Sequence, residues 1–129
     1  MNEKEVRKLI EDTVNTTVLK LKAASMLKDG HRTATEKTEA LLHQYPELKK
    51  VNQPYARRVV QEVDTCLATI AADPYAAVIP LYYFEGKTNA AVAAVMCCDE
   101  RTARRNRKKF VEQFASRLAS DEFIRELLL

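Results

Sequence analysis

Six cations crowd a nine-residue segment near the C-terminus, and no carboxylate stands among them. Like charges on one helix repel, so a helix that is merely solvated usually carries acids among its bases. A cluster without acids indicates that a polyanion is the missing partner. Arginine can form paired hydrogen bonds with guanine, and both arginine and lysine can neutralise phosphates. The six cations are Arg101, Arg104, Arg105, Arg107, Lys108 and Lys109.

The sequence around these cations predicts one amphipathic helix. Asp99 can cap its start, and the chain then runs from Glu100 to Leu118 without glycine or proline. At about 100° per residue, apolar residues and most of the cations fall on different sides. The predicted buried face consists of Ala103, Phe110, Phe114 and Leu118, with Val111 at its edge. The predicted exposed side consists of Arg101, Thr102, Arg105, Lys108 and Lys109, flanked by Arg104.

A shorter helix comes directly before the basic one. Thr88 is its predicted N-cap, and the following run, Ala90 to Met96, contains no helix breaker. Ala93 is small enough to let the two helices cross closely. Two helices joined by a tight turn, the second one basic and exposed, predict a helix-turn-helix that reads DNA in the major groove. The predicted buried stripe of the first helix consists of Val92, Val95 and Met96.

The remaining sequence predicts an all-α protein, a helical bundle. Only two glycines and four prolines occur among 129 residues, and 47% of the residues are hydrophobic, which is enough for a core. We expect Tyr45-Pro46 to end the second helix and Pro80 to split the fourth. The fourth is rich in aromatic residues, and we expect these to lie in the core rather than stack on bases. The predicted helices are 2–28, 33–44, 54–71 and 73–86.

The N-terminal helix carries an apolar stripe that must be covered by something. Packing on its own chain and contact with a second copy in a homodimer both fit the pattern, although three threonines interrupt it. We therefore divide the chain into an N-terminal helical extension, residues 1–50, for packing or dimerisation, and a helix-turn-helix DNA-binding domain, residues 51–129. The stripe consists of Val6, Leu9, Ile10, Val14, Val18 and Leu21.

Charge and composition restrict the function further. Up to Gly86 the chain has twelve cations and twelve acids, and from Lys87 onward it has nine and six, so the net charge of +3 belongs to the C-terminal third. The cysteines and histidines lack metal-ligand spacing, so we expect no metal and no cofactor. No nucleophile motif or phosphate-binding glycine loop is present, so we expect no enzyme. Without a signal peptide or long apolar span, we expect a cytoplasmic, nucleoid-associated protein with no membrane contact.

Three short motifs stand in series in the C-terminal sequence: YYFEGKT, the helix VAAVM, and DERTARR at the start of the basic helix, with YPELKK and PY upstream. Together they resemble the sigma-70 region 4-like domain of small phage transcription regulators, the ArpU-type and RinA-type late-gene activators of Gram-positive phages and prophages. The resemblance covers the chain from about Tyr45 onward. It implies an all-helical, sequence-specific regulator that activates late transcription and contacts RNA polymerase as a sigma factor does.

The resemblance also implies a role for each candidate residue. Some face base edges and so read sequence, while others hold phosphates and fix the protein on the duplex. The residues implied to face base edges are Arg101, Thr102, Arg105 and Lys109. The residues implied to hold phosphates are Lys87, Thr88, Asn89, Arg104 and Lys108.

Two other functions fit the same sequence features. A small terminase-like subunit for phage DNA packaging also places a helix-turn-helix beside oligomerising helices, and its assembly into a ring of many copies would identify it. A protein adaptor would instead dock its basic helix on an acidic protein without touching DNA. Steep weakening by salt identifies phosphate binding.

Overall fold

The computed structural model describes residues 2–27 and 30–128, without the side chains at 15–16, 19–20, 22–26 and 128. Over these residues the regular secondary structure is helical and no strand is present, so the prediction of an all-α protein is confirmed. None of the described helices combines the length and the apolar character that crossing a membrane requires. The elements are α1 (Glu3–Leu27), α2 (Ala34–Leu48), α3 (Pro54–Thr69), a π-helical turn (Pro80–Phe84), α4 (Asn89–Met96), α5 (Glu100–Leu118) and α6 (Asp121–Leu128).

Helix α5 is the central element of the core, because α2, α3, α4 and α6 all contact it. Its aromatic side chains Phe110 and Phe114 are 1% exposed, and its predicted buried face is confirmed. On the facing side, Leu41 and Leu42 of α2 are fully buried. The predicted division at residue 50 therefore passes between two helices, α2 and α3, that contribute to one core.

Helix α2 continues through Pro46, so the prediction that the chain breaks at this proline is wrong. Proline lacks an N–H and crowds the preceding turn, but Pro46 stands close to the end of the helix. The Lys49 N–H still donates to the Tyr45 carbonyl at 2.9 Å. Tyr45 and Leu48 are 6% and 1% exposed, and burial of these two side chains outweighs the local preference of the proline.

The segment between α3 and α4 is not the α-helix that was predicted to begin at Asp73. The Asp73 carboxylate does accept from the Tyr75 N–H, at 2.8 Å. The backbone N–H groups that follow, however, donate to carbonyls three residues earlier instead of four, as the Ala76 N–H does to the Asp73 carbonyl. This part of the chain therefore forms successive turns. Pro80 lacks the N–H that would continue an α-helix, and the chain closes a π-helical turn in which Glu85 N–H donates to the Pro80 carbonyl at 3.0 Å.

The aromatic residues of this segment belong mainly to the core, as expected. Tyr83 is 4% exposed, and Tyr75, Tyr82 and Phe84 are partly buried and pack against the core. The Tyr83 hydroxyl donates to the Glu39 carboxylate at 3.0 Å, which fixes the π-helical turn against α2. Phe84 stacks on Tyr45 with ring centres 4.5 Å apart. The turn that leads into α4 is thereby held at several points.

Helix α6 is an additional element that the sequence patterns did not predict, and it closes the core beside α3 and α5. Phe123 is 4% exposed, and the guanidinium carbon of Arg58 lies 5.0 Å from the centre of its ring. Arg58 Nε donates to Glu126 at 2.7 Å, and Arg58 Nη1 donates to Glu62 at 2.9 Å. These bonds raise the pKa of Arg58 and connect α6 to α3.

Helix α1 joins the core at its C-terminal end, where Leu27 is 2% exposed. Its predicted apolar stripe is not covered by the described part of the chain. Exposure of the six stripe residues ranges from 40% at Val6 to 66% at Leu21. Of the two alternatives, packing on its own chain is therefore not what the described residues show, and contact with a second copy stays open.

Candidate nucleic-acid interface

Both predicted N-caps of the α4–α5 pair are confirmed. The Thr88 hydroxyl accepts from the Ala91 N–H at 3.1 Å, and the Asp99 carboxylate accepts from the Thr102 N–H at 2.7 Å. Each cap satisfies an amide that the first turn of a helix leaves without a partner. The sequence therefore specifies locally where α4 and α5 begin.

Three residues join α4 to α5, and the first of them reverses the chain. Cys97 has a left-handed backbone with φ of 56°, and the next N–H, that of Cys98, donates to the Ala93 carbonyl at 3.1 Å. Ala93 is 5% exposed, as expected for the close crossing. Val95 is 56% exposed, so its prediction as a buried residue is wrong. The buried side of α4 is centred between Val92 and Ala93, and Val95 lies roughly 110° from that centre.

Arg107 holds the first half of α5 against its neighbours. Its position on the helix is that of the buried face, four residues after Ala103 and three before Phe110. Its guanidinium carbon lies 3.7 Å from the ring centre of Tyr82 in the π-helical turn. Its Nη1 donates to the side-chain carbonyl of Asn89 at the start of α4. One of the six clustered cations therefore serves the fold.

We expect Arg107→Ala to lower the free energy of unfolding by about 1–3 kcal/mol, measured by urea denaturation. The change removes the contact with Tyr82 and leaves the half-buried Asn89 carbonyl without its donor. Arg104→Ala, on the exposed side of the same helix, is the matched control and should stay within about 0.5 kcal/mol of the parent. Equal losses in the two variants would contradict the assignment of Arg107 to an internal contact.

Four of the other cations near the start of α5 form an exposed surface, here called the basic face. Its side chains point to solvent, and no carboxylate oxygen of the described residues lies within 4.0 Å of their charged nitrogens. Uncompensated positive charge in one place raises the local potential and attracts anions. The basic face consists of Arg101, Arg104, Arg105 and Lys108.

Some cations elsewhere on the protein form ion pairs with acids of the same chain. In the second half of α5, Arg117 pairs with Glu62 at 3.3 Å. Near the basic face, the Asp99 carboxylate is engaged in capping, and hydrogen bonds from Thr102 are the main reason that its pKa is lowered. The positive charges of Arg101 and Arg105 lower the pKa of Asp99 further. Asp99 therefore interacts electrostatically with the basic face, but none of its oxygens lies within 4.0 Å of a charged nitrogen of that face.

Lys109 and Thr102 lie at the edge of the basic face. The Lys109 Nζ is 3.8 Å from an oxygen of Asp73, and its side chain is 60% exposed. A pair at this distance and exposure is weak and easily exchanged for another anion. Thr102 is half-buried, and its carbonyl accepts from the Asn106 side chain at 2.9 Å. Lys109 is exposed as predicted, and its contact with Asp73 is one that the sequence did not indicate.

The three predicted residues before and at the start of α4 lie beside the basic helix, because Asn89 contacts Arg107 of α5. Thr88 is exposed, whereas Lys87 and Asn89 are half-buried. The Thr88 hydroxyl oxygen accepts from the Ala91 N–H, and the Asn89 carbonyl accepts from Arg107. Thr88 can therefore still donate its hydroxyl hydrogen, and Asn89 can still donate the hydrogens of its side-chain amide. With the ammonium of Lys87, these are donors suited to phosphate oxygens.

Comparison with known proteins finds no protein family, no curated protein and no solved structure that matches this chain.

Proposed function

We propose that the protein is a sequence-specific regulator of transcription that binds double-stranded DNA through α4 and α5 as a helix-turn-helix. The observation that carries the proposal is the basic face, where four exposed cations stand together and no carboxylate oxygen of the described residues lies within 4.0 Å of their charged nitrogens. A capped short helix, a three-residue turn and a longer basic helix are the parts that such a motif requires. The phosphates of duplex DNA form a regular array of negative charge that could pair with the cations of the basic face.

In the proposed complex the first half of α5 enters the major groove. Arg101 and Arg105 lie opposite the buried face of the helix and contact base edges, with Thr102 at the side. Lys109 reaches the bases only by exchanging Asp73 for DNA. Phosphates are held by Arg104 and Lys108 from α5 and by Lys87, Thr88 and Asn89 from the start of α4.

The proposed target is the control region of phage or prophage late genes, where the protein activates transcription through a contact with RNA polymerase. Support for this part comes from the resemblance of the YYFEGKT, VAAVM and DERTARR motifs to sigma-70 region 4-like late-gene activators. Transcription from a late promoter with purified RNA polymerase tests it. Added protein should raise the amount of transcript, and an unchanged amount would contradict activation.

Salt titration with a random-sequence duplex tests DNA binding itself. The logarithm of the binding constant should fall with the logarithm of salt concentration, by a slope of roughly 0.9 for each phosphate neutralised. A variant with Arg101, Arg105 and Lys108 all changed to alanine tests the basic face. It should bind the duplex at least about tenfold more weakly than the parent, and its binding should depend less steeply on salt. The fold should be unaffected, because these side chains are exposed. Absence of binding at low salt would contradict the proposal and favour an adaptor that docks on an acidic protein.

A further inference from the structure

The largest feature of the described structure that the proposed function leaves unused is the apolar stripe on α1. Its side chains extend along one side of the helix from Val6 to Leu21, and each is at least 40% exposed. Scattered apolar side chains are ordinary on a protein surface, whereas a contiguous row marks an interaction surface. We infer that the stripe is the contact between two copies of this chain, whose α1 helices lie side by side in opposite directions.

Two of the threonines in the middle of the stripe, Thr13 and Thr17, do not oppose this contact. The Thr13 hydroxyl donates to the Leu9 carbonyl at 2.8 Å, and the Thr17 hydroxyl donates to the Thr13 carbonyl at 2.9 Å. Because these donors are already satisfied within the helix, covering them with an apolar partner leaves no hydrogen bond unmade. Thr13 and Thr17 therefore add no unsatisfied donor to the stripe.

The size of the stripe suits a helix of the same kind. Two stripes placed face to face would remove on the order of 1,000 Å² from water, which is near the lower limit for a specific protein interface. A lipid surface is a poorer fit, because the polar side of an interfacial helix is rich in cations. The first half of α1 instead mixes acids with cations, and one such pair, Arg7 with Glu3, lies 3.3 Å apart.

The distribution of charge along α1 favours opposite directions. All four acids of the helix lie between Glu3 and Asp12, whereas the part from Thr13 to Leu27 has two lysines and no acid. The part from Glu3 to Asp12 also contains three cations, so its net charge is only −1. Parallel pairing would place this part beside its own copy and the two lysines of each helix beside each other, so that net like charges would meet. Antiparallel pairing places the lysine half of each helix beside the half of its partner that contains the acids.

The antiparallel arrangement also has a consequence for DNA, which rests on the proposed function. Helix α1 has 25 residues and is therefore roughly 37 Å long. In each copy the core formed by α2 to α6 is joined to the C-terminal end of its own α1. In the antiparallel pair these two ends, and with them the two cores, would lie about one helix length apart. Half-sites on one side of B-DNA repeat about every 34–36 Å, so two copies could read neighbouring half-sites of an inverted repeat.

Sedimentation equilibrium over a range of protein concentrations, without DNA, tests the pairing. The parent should reach twice the monomer mass and no more. Ile10→Ser should raise the dimer dissociation constant by at least about tenfold, because the change acts twice in a two-fold interface. Lys8→Ser, on the opposite side of the same helix, is the matched control and should change it by less than about threefold. Thermal unfolding of the core should be unchanged in both variants, because neither residue is buried.

Cysteine cross-linking tests the direction. In a background with Cys97→Ser and Cys98→Ser, the remaining Cys66 is 1% exposed, and burial raises its pKa to about 11, so it should not react. Val14→Cys lies near the middle of the stripe and should form a disulfide between copies. Val6→Cys should not form a disulfide between copies, because in the antiparallel pair residue 6 lies close to Leu21 of the other copy and far from its residue 6.

Each of three results would overturn the inference. They are a monomer at every concentration, a ring of many copies, and a dimer that is unaffected by Ile10→Ser. Cross-linking through Val6→Cys would overturn the antiparallel direction. Because none of these measurements contains DNA, a failure of the proposed function would remove only the half-site spacing and would leave the pairing intact.

Discussion

Replacing Phe110 by alanine is expected to lower the free energy of unfolding by about 3–5 kcal/mol. Phe110 is 1% exposed and lies on α5, the helix that contacts four of the other helices. The substitution loses the burial of an aromatic ring and leaves a cavity that the surrounding helices fill only in part. Since small domains are stable by only about 5–15 kcal/mol, this loss removes a large share of the total.

Urea denaturation followed by circular dichroism measures the effect of Phe110→Ala. Val95→Ala is the control, because Val95 is also apolar but is 56% exposed on α4, and it should change stability by less than about 0.5 kcal/mol. A loss below about 1 kcal/mol for Phe110→Ala would mean that α5 is not held by this buried face.

The second large effect concerns recognition rather than stability. Arg105→Ala should cost about 1–3 kcal/mol of binding energy on a cognate duplex, which is roughly 5- to 150-fold in affinity. Arg105 is exposed on the side of α5 that faces away from the core, where a guanidinium can form two hydrogen bonds with guanine. On duplexes of random sequence the same change should cost much less, because no base-specific bond is present to lose.

Lys108→Ala is the matched comparison, since Lys108 is also exposed on the basic face but is assigned to phosphate. It should weaken cognate and random duplexes by similar factors and lower the slope of the salt dependence by about one. Fluorescence anisotropy with both duplexes distinguishes the two residues. If Arg105→Ala bound cognate DNA as tightly as the parent, Arg105 would not read a base.

The features that the sequence predicts well are the local ones. Thr88 and Asp99 cap helices through bonds to amides three residues away, so their effect depends on few other residues. The buried face of α5 follows from its helical period, and Phe110 and Phe114 are buried as predicted. These residues lie within one helix or one turn, where sequence spacing translates directly into position.

The features that the sequence predicts poorly depend on contacts between distant segments. Pro46 stays within α2 because Tyr45 and Leu48 are buried by other helices. The contact of Lys109 with Asp73 depends on how the turns after α3 approach α5, and no local pattern indicates it. Arg107 is different, because its spacing from Ala103 and Phe110 already places it on the buried face. It was counted among the six clustered cations and assigned to neither side of the helix.

Helix α1 shows another limit of the sequence. The period of its stripe predicts an apolar side correctly, but a stripe contains no information on what covers it. Burial on the same chain and burial against a second copy produce the same pattern. The exposure of Ile10 at 58% and Leu21 at 66% distinguishes these cases, and that exposure is a property of the folded chain.

Selection of bound duplexes from a random pool is the most direct test of the central claim that the basic face reads DNA. With the parent protein, the selected duplexes should share a motif containing at least one strongly preferred guanine. With Arg105→Ala, duplexes should still be bound, and the preference should relax at one position of that motif. Recovery of no motif by the parent, or of the same motif at full strength by Arg105→Ala, would contradict the claim.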